Sequence, residues 1–264
     1  MSPRFACKGF ILWCLAWADP SHAITDIETA LHPGYDVRSL RPAGFQPMVG
    51  GLEFLPDGRL LVLTWRGNLG PEKPFMEPYS DSGALYAVAN AGQADPSALR
   101  VVKIADGFKD AFGVVYAQGS IYVGDIDRLI RLEDLDGDGY FETKRTLAQL
   151  PSYNGWFEFA FGPVYKDGRF YMALSAPVMP GGASQTAKGP GRSTVLSIDM
   201  HGQVTPIAGG LREPDGIALG PGGDLFVTDN QGVCEPSSKL IHIQPGRRYG
   251  FRMESSTIPR PNRL

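Results

Sequence analysis

The chain repeats one short pattern four times, and this repetition limits the fold more than any other feature of the sequence. Each copy has an apolar strand, a tight turn that contains glycine, and a second strand rich in β-branched and aromatic residues. The copies are residues 51–66, 112–126, 159–175 and 216–230. Their turn glycines, Gly58, Gly119, Gly168 and Gly223, lie 61, 49 and 55 residues apart. Spacings of about 40–50 residues with several strands per unit predict an all-β protein of the β-propeller class, lengthened here by loop insertions.

The composition is that of an ordinary globular protein. The 264 residues are 43% hydrophobic and 20% charged, with a net charge of −3. This is ample for a core, and it is not basic enough for nucleic-acid binding. After the N-terminal region, no apolar run is long enough to span a membrane. We therefore expect a propeller that binds a small molecule or a partner, without nucleic acid and without a membrane span.

The first 23 residues differ from the rest and predict export. Arg4 and Lys8 precede an apolar run at 9–16, and Ser21-His-Ala23 supplies small residues at −3 and −1 of a cleavage site. This pattern is typical of a secretory signal, and a buried first helix is the alternative. We predict a signal peptide at 1–23, a propeller domain at 24–264, and a periplasmic or secreted location.

Residues 210–250 carry the densest set of motifs in the chain. Arg-Glu-Pro-Asp-Gly at 212–216 opens an apolar strand, Asp-Asn-Gln-Gly forms a loop at 229–232, and Gly-Arg-Arg-Tyr-Gly closes the segment at 246–250. This order resembles the soluble sugar dehydrogenases that use pyrroloquinoline quinone (PQQ), in the glucose/sorbosone dehydrogenase superfamily. The resemblance covers most of 49–250. It implies oxidation of a sugar or polyol hydroxyl by PQQ held with Ca²⁺, and a cytochrome or quinone as electron acceptor.

The resemblance also implies which residues contact the cofactor. The main-chain carbonyls of Gly232 and Val233, beside Gln231, are expected to bind the Ca²⁺, because hard cations take oxygen ligands. The Arg212 guanidinium is expected to pair with the carboxylates of the quinone. Arg66, at the end of the first repeat, is a further candidate for binding a central anion. The alternatives are a plain loop for Gln231–Val233 and a solvated charge for Arg66.

Two departures from the family pattern bear on catalysis. In the family, a His at the start of the third repeat takes the substrate hydroxyl proton, as a residue with a pKa near working pH can. Here Trp156 or Phe157 occupies that position, and the nearest titratable group is Glu158. Glu213 replaces the family's usual Asn and puts a negative charge near the anionic cofactor. We predict weak PQQ binding and little or no turnover, with Glu158 as the candidate base and an ordinary strand role as its alternative.

An acidic run, DLDGDGYFE, has the spacing of a Ca²⁺ loop. Asp134, Asp136 and Asp138 supply the carboxylates at positions 1, 3 and 5, and Glu142 supplies the acid at position 9. Arg145 stands at position 12, where a bidentate Glu is usual. We predict a structural Ca²⁺ site that is weaker than a complete one, and the alternative is an acidic hairpin that binds nothing.

Four repeats are fewer than the six blades that the resemblance implies. We therefore predict a propeller of the six-bladed type that is truncated to about four blades, with a complete four-bladed ring as the alternative. An all-β sandwich would not repeat a two-strand unit at this period. Two other functions stay open. One is a calcium-dependent lactonase-type hydrolase using Glu53, Asn154, Asp229 and Asn230, and the other is a non-catalytic propeller that binds a partner or a glycan.

Two smaller features complete the predictions. The stretch at 180–192 is rich in Gly, Pro and Ser and is expected to be a flexible loop over one face of the propeller. His242 lies within an apolar strand and is expected to be a core histidine whose hydrogen bonds are satisfied.

Overall fold

Four antiparallel sheets follow one another in the described part of the chain. The computed structural model describes residues 34, 35, 40, 42, 44–65, 82–93, 96–152, 158–177, 191–230 and 237–251. The chain divides into Met1–Ser39 and Leu40–Leu264, and all described strands lie in the second unit. Among the described residues there is no α-helix, and a short 3₁₀ turn at Pro96–Ala98 precedes one strand.

Each sheet is a blade in which every strand pairs with the next one along the chain. Blade 1 contains β1 (Val49–Phe54), β2 (Leu60–Thr64), β3 (Gly83–Ala89) and β4 (Arg100–Phe108). Blade 2 contains β5 (Val114–Ala117), β6 (Ser120–Asp125), β7 (Arg128–Glu133) and β8 (Thr143–Gln149). Blade 3 contains β9 (Ala160–Lys166), β10 (Arg169–Leu174), β11 (Thr194–Asp199) and β12 (Val204–Gly209). In blade 4 the described strands are β13 (Pro214–Leu219), β14 (Leu225–Asp229) and β15 (Lys239–His242).

The predicted all-β propeller with four repeat units is confirmed, because each repeat forms the first two strands of one blade. The hairpins between these strands turn at the four predicted glycines, whose φ angles are 85°, 78°, 77° and 78°. Glycine adopts this left-handed conformation without strain because it has no Cβ atom. Each turn also sets a register, which pairs Phe54 with Leu60 in blade 1 and Leu219 with Leu225 in blade 4.

The hydrophobic core lies between neighbouring blades. Side chains alternate across a strand, so Leu61 and Leu63 of β2 face blade 2, while Leu60 and Val62 pack on the opposite side with Phe45. The three interfaces are filled by buried apolar side chains, among them Leu85 and Val123, then Tyr122 and Phe170, then Val195 and Val227. The second strands of the first three blades are therefore largely buried on both faces.

Glycines bring the innermost strands of neighbouring blades into backbone contact. A Cβ atom on Gly51 would lie 2.9 Å from the Cα of Gly113, and one on Gly113 would lie 2.3 Å from the carbonyl oxygen of Gly162. These glycines stand six or seven residues before the turn glycine of their repeats. A bridge between Phe112 and Phe161 continues the contact between blades 2 and 3. The inner strands can therefore lie side by side around a narrow axis.

The Gly-Arg-Arg-Tyr-Gly motif attaches blade 4 to blade 3. After β15, the chain runs parallel to β12, and the N–H groups of Gly246 and Tyr249 donate to the carbonyls of Ile207 (2.7 Å) and Gly209 (2.9 Å). The Tyr249 hydroxyl donates to the carbonyl of His242 at 2.8 Å. This motif, part of the resemblance to the sugar dehydrogenases, therefore has a structural role in the propeller.

Candidate functional site

A groove runs between the innermost strands of all four blades, and we call it the axial groove. Its volume is about 830 Å³. It is lined by residues 49–53, 112–116, 161–165 and 215–219, together with Trp65 and Phe159. Since each blade contributes to the lining, a ligand bound here would contact residues from distant parts of the sequence.

Aromatic rings form a continuous wall of the axial groove. The ring of Phe112 lies at the centre, with ring centroids 5.4 Å from Trp65, 4.9 Å from Phe159 and 5.1 Å from Phe161. The rings are tilted or edge-to-face, which are favourable arrangements for aromatic pairs. Blades 1, 2 and 3 each supply part of this wall, so it is fixed by the packing of the blades.

Two carboxylates lie in the lining, Glu53 on β1 and Asp215 on β13. Burial raises the pKa of Glu53, and a hydrogen bond from the backbone N–H of Tyr116 acts against this increase. Burial is also the main cause of the raised pKa of Asp215, and the negative charge of Asp229 adds to it. The described part of the lining contains no Lys, Arg or His. The groove therefore presents negative charge on an apolar surface that is partly aromatic.

The Arg212–Glu213 pair at the start of blade 4 is held by the buried Asp229 carboxylate. Asp229 accepts hydrogen bonds from the backbone N–H groups of Arg212 (3.1 Å) and Glu213 (2.9 Å). The Arg212 side chain is 9% exposed, and its Nη1 lies 3.4 Å from the Glu213 carboxylate. Burial raises the pKa of Glu213, and the Arg212 charge acts against it. Asp229 thus has a structural role. The Glu213 carboxylate offsets the positive charge of Arg212, the guanidinium that the resemblance assigns to the quinone.

Asp125 has the same structural role at the start of blade 2, and this role is not predicted from the sequence. It accepts hydrogen bonds from the backbone N–H groups of Lys109 (2.7 Å) and Ile126 (3.1 Å). Burial raises its pKa to about 6. The signal that could have identified this role is its repeat position, because Asp125 and Asp229 both end the second strand of their blades.

Blade 3 has a buried arginine next to the start of its first strand and the end of its second strand. Arg192 is 0% exposed. Its Nε donates to the carbonyl of Ser175 (2.8 Å), its Nη1 to the carbonyl of Pro151 (3.0 Å), and its Nη2 to the carbonyl of Phe159. The prediction that 180–192 is a loop over one face is therefore wrong at its last residue, since Arg192 ties three backbone segments together in the interior.

Glu158, the candidate base, is buried next to this arginine network. Its Oε2 accepts a hydrogen bond from the Ser152 hydroxyl at 3.0 Å. It precedes Phe159, whose carbonyl Arg192 binds and whose ring lines the axial groove. Glu158 itself is not among the described lining residues. Its role as a base stays a prediction.

The acidic run forms an exposed hairpin between β7 and β8. Carboxylate oxygens of Asp134, Asp136 and Asp138 lie within 4.8 Å of one another, and this is the one such cluster among the described residues. Glu53 and Asp229, two of the lactonase candidates, do not belong to it. Asp134 accepts hydrogen bonds from the N–H groups of Gly137 (2.7 Å) and Gly139 (2.9 Å), so the loop is ordered by its own backbone.

The two remaining side chains of the predicted Ca²⁺ loop make other contacts and do not complete the set of ligands. Glu142 accepts a hydrogen bond from the N–H of Leu135 at 3.0 Å. Arg145, at the position of the usual bidentate Glu, pairs with Glu133 at 3.1 Å. A Ca²⁺ ion here would have the three aspartates as its main ligands. The Ca²⁺ site stays a prediction.

We expect this hairpin to bind Ca²⁺ with a dissociation constant of about 10⁻⁴–10⁻³ M, the range of weak extracellular sites. Calorimetric titration of the wild type should give heat that Asp136→Ala removes. Asp57→Ala, which changes an exposed acid at another hairpin turn, is the matched control and should leave the heat unchanged. A wild-type titration without heat would show that the run is only a hairpin.

Several predicted site residues lie outside the described residues, and their roles stay predictions. They are Arg66, Asn154, Trp156, Phe157, Gln231, Gly232 and Val233. The predicted signal at 1–23 also lies there. Within the described ranges, no helix has the length and apolar character needed to cross a membrane.

The prediction that His242 lies in the core is wrong. Its side chain is exposed at the outer side of blade 4, where its ring stacks on Phe226 with the centroids 5.1 Å apart. Its Nε2 lies 3.8 Å from the Asp224 carboxylate. The reason is that β15 is buried on one side only, as the 72% exposure of Leu240 also shows.

The fold is similar to that of solved sugar dehydrogenases at low sequence identity. An oxidoreductase from Thermus thermophilus, described as a glucose dehydrogenase, matches with a TM-score of 0.55 and 19% identity, over 86% of this chain and 69% of that one. The aldose sugar dehydrogenase of Streptomyces coelicolor, solved with PQQ bound, matches with a TM-score of 0.56 and 15% identity, over 82% of this chain and 65% of that one. The soluble aldose sugar dehydrogenase of Escherichia coli, solved in the apo form, matches with a TM-score of 0.52 and 17% identity, over 84% and 71%.

The chain thus spans about two thirds of the length of these structures. No family model matches the chain, and no curated protein matches its sequence. At these identities the likeness shows the fold.

Proposed function

We propose that this chain is a sugar-dehydrogenase-like propeller that binds a sugar or polyol in its axial groove and oxidises it slowly or not at all. The observation that carries the proposal is the lining of the groove, where aromatic rings from three blades lie with two carboxylates. The fold shared with sugar dehydrogenases is in agreement, although a fold alone does not specify a substrate. The predicted signal at 1–23 adds that the chain acts in the periplasm or outside the cell.

The chemistry of the groove suits a polyhydroxylated ligand. A sugar ring has apolar C–H faces, which flat side chains such as Trp65 and Phe112 can cover. Its edge carries hydroxyl groups, which can donate hydrogen bonds to carboxylates. Small-molecule sites typically combine apolar walls with a few polar groups that set the orientation, in clefts of roughly 300–1,000 Å³. Glu53 and Asp215 would supply the polar groups from opposite ends of the row of blades.

The described residues do not provide the surroundings that PQQ requires. PQQ is anionic, whereas the described part of the lining holds two carboxylates and no basic side chain. Arg212 is the described guanidinium that the resemblance assigns to the quinone, and the Glu213 carboxylate lies 3.4 Å from it. Binding of PQQ and its Ca²⁺ by this chain would therefore depend on Arg66 and on the loop at 231–233.

Slow turnover is expected from the residues at the start of blade 3. Oxidation of a hydroxyl group needs a base that takes its proton, and neither Trp156 nor Phe157 can do so. The Glu158 carboxylate accepts a hydrogen bond from Ser152 and is not part of the described groove lining. Loss of a general base lowers a rate by about two to four orders of magnitude.

The binding proposal predicts a loss of affinity when an aromatic ring is removed from the groove. Calorimetric titration with glucose and with sorbitol should show binding to the wild type. Trp65→Ala should weaken it by about three- to tenfold, the value of one aromatic contact. Phe226→Ala, which removes a ring from the outer side of blade 4, is the matched control. If no sugar or polyol binds, or if Trp65→Ala binds as the wild type does, the axial groove is not a sugar site.

The same samples test the second half of the proposal. With PQQ, Ca²⁺ and an artificial electron-accepting dye added, glucose should cause dye reduction close to the buffer background. Robust glucose-dependent reduction would contradict slow turnover. Glu158→Gln would then show whether Glu158 is the base.

A further inference from the structure

The axial groove has a charge that a neutral sugar does not require. Its described lining carries Glu53 and Asp215 and no basic side chain. Hydroxyl groups could be bound by neutral amides or by backbone carbonyls, with no need to place charges in a groove whose walls are mainly apolar. Partial removal of a carboxylate from water is unfavourable unless a partner compensates it, and it is the main cause of the raised pKa of both groups, although Asp215 stays exposed at the groove surface. A cation bound beside either carboxylate would offset this cost.

Each carboxylate lies on the innermost strand of its blade and lines the groove. The N–H of Tyr116, on the strand β5 that faces the axis, donates to Glu53 and fixes its orientation. Asp215 lies where the pairing of β13 with β14 shifts register, between Pro214 and Gly216. The buried Asp229 behind it adds further negative charge. The acidic character is thus built into the innermost strands of blades 1 and 4.

The aromatic wall favours the same class of ligand. The face of an aromatic ring carries negative charge density and attracts ammonium groups, by about 0.5–1 kcal/mol at exposed sites and by about 2 kcal/mol or more when water is excluded. Trp65, Phe112, Phe159 and Phe161 form one connected group of rings in the groove. Rings and carboxylates together are the side chains that bind organic cations.

We infer that the axial groove selects a sugar or polyol that carries a protonated amino group, with Glu53 and Asp215 as the residues that determine this preference. The inference rests on the proposed function and specifies its substrate class. The ammonium group pairs with a carboxylate of the groove, and the aromatic wall covers the apolar face of the ring.

The preference is measured by calorimetric titration of the wild type with four ligands at one pH and one ionic strength. Glucosamine, with its amine protonated, should bind at least about tenfold more tightly than glucose, as expected for one hydrogen bond between charged groups. N-acetylglucosamine keeps the nitrogen without the charge and should bind like glucose. Glucuronate, an acidic sugar, should bind most weakly. Added NaCl should reduce the advantage of glucosamine because salt screens the charges.

Isosteric variants test the two named residues. Glu53→Gln and Asp215→Asn should each reduce the ratio of glucosamine affinity to glucose affinity by about tenfold, with both ligands measured on the same variant. Asp167→Asn is the matched control, because Asp167 is 82% exposed on an outer turn and its φ of 50° is one that Asn adopts readily. This control should keep the full preference.

The outcomes separate this inference from the proposed function. Equal affinity for glucose and glucosamine in the wild type would overturn the inference and leave sugar binding in place. An unchanged preference in both Glu53→Gln and Asp215→Asn would overturn the assignment to these residues. If no sugar binds but ethanolamine does, and Glu53→Gln removes that binding, cation selection is supported while the proposed sugar function is overturned.

Discussion

Replacement of Arg192 by leucine is expected to lower the free energy of unfolding by about 4 kcal/mol, because it removes the donors of several buried carbonyl groups. The guanidinium donates to the backbone carbonyls of Pro151, Phe159 and Ser175, and also to the Ser175 hydroxyl. The Phe159 carbonyl would keep the N–H of Ser175 as a donor. The carbonyls of Pro151 and Ser175 would lose their hydrogen bonds to the guanidinium, and a hydrogen bond to a charged group contributes about 1.5–3 kcal/mol.

Lysine is not expected to rescue this position. The planar guanidinium reaches several carbonyls at once from fixed positions, whereas the ammonium group of lysine is a single point at the end of a flexible stem. Arg192→Lys should therefore recover less than half of the lost stability. Because Arg192 also sets the position of the Phe159 backbone, both variants should bind ligands in the axial groove more weakly.

Thermal and urea unfolding followed by circular dichroism would measure these effects. A loss of about 4 kcal/mol corresponds to a decrease of roughly 10 °C in the melting temperature of a protein of this size. Arg59→Leu is the control, because Arg59 is exposed and pairs only with the exposed Asp57 in the β1–β2 turn among the described contacts. It should change stability by less than about 1 kcal/mol. An Arg192→Leu variant as stable as this control would show that the network does not hold blade 3.

The sequence could predict the inner half of each blade because that half is specified locally. The hairpin formed by the first two strands of a blade needs only apolar strands and a turn glycine, and both are visible in the sequence of one repeat. The outer strands show no common pattern. Strand β8 is mostly polar and exposed, and β12 contains Pro206, which the outer edge of a blade tolerates because its N–H is not needed there. Since solvent accepts many side chains at these positions, the repeats diverge and the pattern is lost.

The axial groove could not be predicted in the same way. Its carboxylates come from the first and last blades, and only the stacking of four blades brings Glu53 and Asp215 to one cavity. From the sequence, Glu53 is a candidate for a calcium-dependent lactonase-type hydrolase, and Asp215 lies in the approach to a strand. The motifs that support the resemblance are partly structural. Asp229 holds the backbone at 212–213, and the closing Gly-Arg-Arg-Tyr-Gly motif pairs with β12. Motifs with such a structural role can be present in any protein that has this propeller fold.

A methyl group at Gly113 is expected to destabilise the propeller by about 3 kcal/mol or more, because there is no space for it between blades 2 and 3. In Gly113→Ala, the Cβ atom would lie 2.3 Å from the carbonyl oxygen of Gly162 and 2.4 Å from its carbonyl carbon. Both are backbone atoms, so a rotamer change cannot relieve the overlap. The innermost strands would have to separate, and with them the aromatic wall that Phe112 and Phe161 form on either side of this contact.

The control for this variant is Gly92→Ala. Gly92 has no atom within 4 Å of an added Cβ, and its φ is not in the left-handed region. Alanine there should be neutral or should stabilise the protein by up to about 1 kcal/mol, since it restricts the unfolded chain. The two glycines therefore separate the effect of backbone freedom from the effect of close packing. Equal stability of Gly113→Ala and the wild type would mean that the inner strands lie farther apart than described. The narrow axis on which the axial groove depends would then be wrong.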